Sequence, residues 1–115
     1  MTHPDLDALL AAFNTRDVDK ILEFFTDDCT FDTPRGQRMV GKDEVRKGFQ
    51  ARFDGIPDIV YGDDRHFTSG DRGVSEWTIR GTQSTGEPIE VRGCDLFEFS
   101  DGKVSRKDSY WKILD

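Results

Sequence analysis

Hydrophobic periodicity changes once along this chain, near residue 58, and that switch restricts the folds open to it. Before it, Leu6, Leu9, Leu10 and Phe13 recur at i, i+3, i+4 and i+7, one apolar stripe of a helix. Pro4 suits an early helical position, and Thr2 with Asp5 three residues later resembles a capping box. Asn14, Thr15 and Arg16 break the stripe. Asp17 then reads as the N-cap of a second, shorter helix that carries Val18, Ile21, Leu22 and Phe25. Cys29 to Thr33 is β-prone and is closed by Pro34 and Gly36. A third helix is predicted over Lys42 to Phe53, with Val45, Phe49 and Phe53 on one face and Asp43 and Glu44 placed to suit its dipole. Gly48 inside that helix costs about 1 kcal/mol against Ala, so it marks close packing against a neighbour.

After the switch the period is two. Strands are predicted at Asp58–Thr68, Val74–Thr82, Pro88–Ser100 and Lys103–Ile113, the last two joined by the hairpin signal Asp101-Gly102. Helices first and antiparallel strands afterwards imply one α+β domain over residues 1–115, with helices packed on one face of a sheet. Such a sheet, if curved, encloses an apolar interior with an open mouth.

Composition narrows the function. The chain is 34 % charged, yet its nine Phe, two Trp and two Tyr supply the core that a disordered chain lacks. A net charge of −7 argues against nucleic acid or an anionic membrane as partner, since both need a basic surface. No apolar run is long enough to span a membrane, and the first residues lack the pattern of a secretory signal, so a cytoplasmic location is expected. Cys29 and Cys94 form no CxxC or Cys/His cluster and read as reduced core or sheet residues. His3 and His66 are isolated, so no metal site is expected. Dinucleotide, phosphate-loop and hydrolase signatures are absent, so no cofactor is expected either. Function must come from a pocket.

The strand Pro88–Ser100 holds the residue that breaks the pattern. Alternation puts Ile89, Val91, Gly93, Asp95, Phe97 and Phe99 on one face, apolar except for Asp95. Desolvation disfavours the charged form of a carboxyl, and a poised acid in an apolar pocket suits catalysis on neutral organic molecules. Asp95 is equally open to a structural reading, in which it accepts hydrogen bonds and holds the sheet, or is turned to solvent by a bulge at Gly93.

Several segments together resemble a known superfamily. Phe13–Asp17, Phe25–Phe31, Gly41–Arg46, Trp77–Thr82, Gly93–Phe97 and Asp101–Trp111 are similar, in order, to the NTF2-like, cystatin-like α+β cone. The nearest groups are the SnoaL-like polyketide cyclases and ketosteroid-isomerase-like proteins. The resemblance covers nearly the whole chain. It implies three N-terminal helices on a strongly curved, mainly antiparallel sheet, a deep pocket between them, and a homodimer through the outer face of the sheet.

The family's site residues carry over unevenly. Asp95 falls where a steroid isomerase keeps the protonated acid of its oxyanion hole. Its general base falls at Thr33, with Asp32 facing away, and its pocket tyrosine falls at Leu9. The acids of the epoxide-hydrolase branch fall at Ile79 and Ser109, neither of which activates water. The cyclases, whose chemistry needs no metal or cofactor, make the softer match. The resemblance thus implies an isomerase, cyclase or dehydratase acting through Asp95 on a small hydrophobic carbonyl compound. The other reading is a non-catalytic binding or dimerisation domain of the same fold.

Phe31, Thr33, Phe53, Trp77 and Tyr110 are the candidate ligand contacts. Trp77 is open to a pocket or a core role, and Tyr110 to a phenolic hydrogen bond or a surface position. For His66 the choice lies between a second acid–base group and a solvated strand face.

Overall fold

A computed structural model of the protein describes residues 3–112. Its elements in chain order are α1 (Leu6–Thr15), α2 (Val18–Leu22), β1 (Phe25–Asp32), β2 (Arg38–Val40), α3 (Lys42–Gly55), β3 (Val60–Ser69), β4 (Arg72–Thr82), β5 (Pro88–Ser100) and β6 (Lys103–Trp111). The six strands form one sheet in the order β2-β1-β6-β5-β4-β3, antiparallel throughout except for the β1–β6 pair. This is the expected α+β architecture, with a short edge strand, β2, that the pattern did not announce. No helix is long and apolar enough to cross a membrane among the described residues.

Local chemistry sets the helix ends. Thr2 lies outside the described residues, and Asp5 itself caps α1, its side chain accepting from the Ala8 N–H. Arg16 adopts the left-handed conformation that ends α1, and Asp17 caps α2 immediately afterwards. Arg16 also donates to the Ile59 carbonyl at 3.0 Å, fixing the corner against the chain entering β3.

Apolar faces of all three helices meet one face of the sheet. Leu9, Phe13, Ile21, Phe25, Val45, Phe49, Trp77, Ile79 and Phe97 are the centre of this core. Close approach at Gly48 is real: a Cβ there would overlap Met39 Sδ. Cys29 is buried and Cys94 half-buried, both as free thiols. The Asp101-Gly102 turn has positive φ at both residues, as a tight two-residue hairpin requires.

Register breaks where strands must bend. Between Glu98–Arg106 and Phe99–Val104, β6 carries one extra residue, Ser105. That bulge turns both Val104 and Lys107 inward, three positions apart, where strict alternation would have put them on opposite faces. The last strand is predicted to run to Ile113, which lies outside the described residues.

Candidate functional site

Asp95, Trp77, Lys107 and Ser109, from three adjacent strands, converge on the inner face. In β5, Asp95 stands opposite Ser75 of β4 and Ser109 of β6. No bulge occurs at Gly93, which pairs in register with Trp77 and Trp111, so Asp95 keeps the inward direction its alternation implied. Gly93 has a different purpose: a Cβ there would come within 2.7 Å of the Trp77 ring. Its absence lets the indole lie over the strand, and Trp77 Nε1 donates to Asp95 Oδ2 at 2.9 Å.

The other carboxyl oxygen meets a cation. Lys107 Nζ donates to Asp95 Oδ1 at 3.0 Å and to Ser109 Oγ at 2.7 Å, and Ser109 Oγ donates to Asp95 Oδ1 at 2.5 Å. Asp95 is therefore not a lone acid in an apolar row. It accepts from three donors, a number that an acceptor-only carboxylate can satisfy. Lys107 and Asp95 side chains are 6 % and 5 % exposed. Burial pushes the Lys107 amine below its usual range, and the Asp95 charge opposes that shift. Aromatic faces also compensate the ammonium, with ring centres of Phe31 and Phe13 at 4.7 and 5.3 Å.

This pair sits between two small cavities. One is walled by Phe31, Phe49, Phe53, Tyr61 and Trp77, with Lys107 and Ser109 at its inner end and Arg52 and Trp111 at its half-exposed rim. The other, under α1, is lined by Leu6, Leu9, Phe97, Asp95 and Lys107. Phe13, Tyr61 and Lys107 belong to both. The aromatic cavity is tight, with a free volume of about 20 Å³, space for about one water. A larger ligand enters only as the lining side chains separate.

Tyr61 supplies a phenol that the Leu9 comparison did not anticipate. Asn14 holds it in place through a two-way amide contact, donating to the Tyr61 carbonyl at 3.0 Å and accepting from its N–H at 2.8 Å. The same contact satisfies the Tyr61 backbone groups on the open edge of β3. Burial pushes the Tyr61 hydroxyl well above the usual range, and the Asp95 charge adds to this.

The candidates named from sequence divide. Trp77, Phe31 and Phe53 line the aromatic cavity, and Asp95, bonded to Trp77, lines the cavity under α1. Thr33 does not reach them. It lies in the turn after β1, where its hydroxyl accepts from the Gln37 N–H, and it lines an outer groove with Pro34, Arg35 and Arg52. Asp32 faces away as expected, paired with Arg38 and Arg106. Tyr110 is 52 % exposed on the opposite face of the sheet, beside a shallow depression of about 470 Å³. His66 is not a solvated residue: its side chain is 11 % exposed, with Nδ1 at 2.7 Å from Ser75 Oγ and Nε2 at 2.9 Å from Asp64. Asp7 completes a small cluster with Asp64 and His66, but its carboxylates are exposed and the His66 ring is already engaged.

Lys107, Tyr61 and Arg52 were missed as site residues. No sequence pattern singled out Arg52 or Tyr61, and the Ser105 bulge hid Lys107.

Comparison with known proteins places this geometry in a family. The model of the SnoaL-like domain matches residues 6–107. Among solved structures, a candidate polyketide cyclase from Xanthomonas campestris pv. campestris shares 24 % identity over 93 % of this chain and 87 % of its own, with a TM-score of 0.86. An uncharacterised cystatin-fold protein from Novosphingobium aromaticivorans shares 26 % over 90 % and 92 %, at 0.76. A protein of ketosteroid-isomerase-like fold from Catenulispora acidiphila, crystallised with trimethylamine, shares 22 % over 97 % and 88 %, at 0.83. No curated protein matches. With the family model covering most of its length and the fold shared with these structures, the chain belongs to the SnoaL-like domain family.

Proposed function

We propose that the protein is a cofactor-free acid–base catalyst, acting as an isomerase, cyclase or dehydratase on a small hydrophobic carbonyl compound. The observation that carries this reading is the buried Lys107–Asp95 pair, whose lysine stands at the inner end of the aromatic cavity and whose carboxylate lines the adjoining one under α1. Structural duty alone would favour apolar residues there, because a buried ion pair is often no more stable than a well-packed apolar replacement.

Each partner has a role in the reaction. Lys107 uses two of its three N–H bonds on Asp95 and Ser109, which leaves one for a carbonyl oxygen among the phenylalanines. Negative charge that develops on that oxygen is stabilised by the ammonium in a water-poor site. Asp95 takes the proton from the carbon beside the carbonyl. Its return to a different carbon is isomerisation, attack of the enolate on a second carbonyl is ring closure, and loss of a neighbouring hydroxyl as water is dehydration. A separate base at Thr33 is not needed, since Asp95 can both accept and return the proton.

The test is exchange of α-hydrogens in phenylacetone for deuterium, followed by NMR in D2O. Wild-type protein accelerates exchange over buffer, and Asp95→Asn lowers that rate by about a hundredfold or more. Exchange no faster than in buffer, or full activity in Asp95→Asn, overturns the reading. We propose further that two copies pair through the outer face around Tyr110. Sedimentation of wild type against Tyr110→Glu checks this: a monomeric wild type contradicts it.

A further inference from the structure

Arg52 is a half-buried cation in the wall of the aromatic cavity. Five arginines are matched, Arg38 and Arg106 to Asp32, Arg46 to Asp19, Arg80 to Asp63 and Glu90, Arg92 to Glu76, whereas Arg16, Arg35, Arg65 and Arg72 pair with no carboxylate among the described residues. Among the described residues, half-buried Arg52 has neither a carboxylate within salt-bridge distance nor a hydrogen-bond acceptor. It is the only one of these placed in the wall of the aromatic cavity. Its guanidinium stacks on the Trp111 ring, 4.3 Å from the centre, which holds the planar fork in place.

Charge at the site is accordingly unbalanced. Asp95 is matched by Lys107, and Arg52 adds a second positive charge to the same cavity. Arg35 stands beside Arg52 in the groove that runs outward from the rim. Burial and the Arg35 charge both push the Arg52 guanidinium below its usual range, and Arg52 in turn disfavours the charged form of Lys107. The chain as a whole carries −7, so a positive cavity is a local departure from its surface.

We infer that the cavity takes a ligand bearing a carboxylate, gripped by Arg52 at the rim while its apolar body points inward to Lys107. Resting on the carbonyl reading above, this narrows the substrate class to hydrophobic oxo acids. Arg52 is then the specificity-determining residue. A planar carboxylate accepts two parallel N–H bonds from the guanidinium fork, which a neutral amide of the same shape cannot do. Bound anion also relieves the repulsion between Arg52 and Lys107.

Binding tests this apart from chemistry. Trp77 and Trp111, the two tryptophans of the chain, both line the cavity, so intrinsic fluorescence reports occupancy. Wild type is titrated with 3-phenylpropanoate and with its neutral analogue 3-phenylpropanamide. The expected result is carboxylate binding at least about tenfold tighter than amide binding. Arg52→Gln removes that preference, and Arg52→Lys restores part of it. Equal affinity for the two probes in wild type overturns the inference, and so does a preference that survives in Arg52→Gln. Saturable binding of neither probe overturns it as well. None of these outcomes touches deuterium exchange into the neutral ketone, on which the catalytic reading stands or falls separately.

Discussion

Lys107 Nζ lies 3.0 Å from Asp95 Oδ1, and both side chains are almost wholly removed from solvent. Breaking such a pair from one side leaves the other charge buried and unmatched, at a cost of about 3–5 kcal/mol. Lys107→Met and Asp95→Asn are each expected to lose stability on that scale in urea unfolding. The double variant is expected to recover most of it, since the introduced amide would still accept from Trp77 and no lone charge would remain. Additive losses in the double variant would show that the two residues are not coupled.

Acid sensitivity should trace to Asp32. Its hydrogen bond from Arg38 holds the carboxyl below the usual carboxylate range, with Arg106 adding to the effect. A lowered folded value means that the stabilisation is complete above the unfolded value of about 3.9 and is lost as pH falls through the folded one. Asp32→Asn is expected to cost about 1 kcal/mol at neutral pH and to flatten the stability profile below pH ~4. An unchanged acid limb in this variant would place the sensitivity elsewhere.

The alkaline limb has the opposite origin. Burial raises the Tyr61 phenol in the fold, so the unfolded chain ionises first, near its usual value of about 10. Tyr61 contributes stability that is complete below that value and is lost as pH rises above it. Lys107, lowered by burial, works in the other sense and at lower pH, becoming less costly to the fold as pH rises toward 10.5. Comparing wild type with Tyr61→Phe isolates the phenol: the variant should show the shallower fall above pH ~10.

Gly93 should tolerate no side chain. A Cβ there would overlap the Tyr110 carbonyl oxygen and sit 2.7 Å from the Trp77 ring. Gly93→Ala is expected to cost about 1–3 kcal/mol and to displace the indole from Asp95, visible as a shift in tryptophan emission. A variant with wild-type stability and emission would mean that the strand accommodates the methyl group.

Most of the architecture was legible because it rests on local pattern. The stripe from Leu6 to Phe13, the Asp17 cap and the alternation of Pro88–Ser100 all appear in the structure close to where their spacing put them. Asp95 was visible as a polar break in an apolar row. Lys107 was not, because its inward direction depends on one extra residue, Ser105, in the pairing with β5. A bulge leaves little trace in composition. Tyr61 and Arg52 reach the cavity through tertiary contacts with Asn14 and Trp111, and no spacing rule connects residues 47 and 59 positions apart. β2 has only three residues, too few for an alternating pattern to emerge.

Infrared difference spectra of carbon-13 carbonyl-labelled phenylacetone bound to the protein interrogate the pair itself. A carbonyl oxygen held by the Lys107 ammonium should show a stretch lowered well below its value in apolar solvent, and Lys107→Met should move it back. A bound ketone whose stretch matches apolar solvent, unchanged by Lys107→Met, would mean that the ligand sits in the cavity without meeting the ion pair.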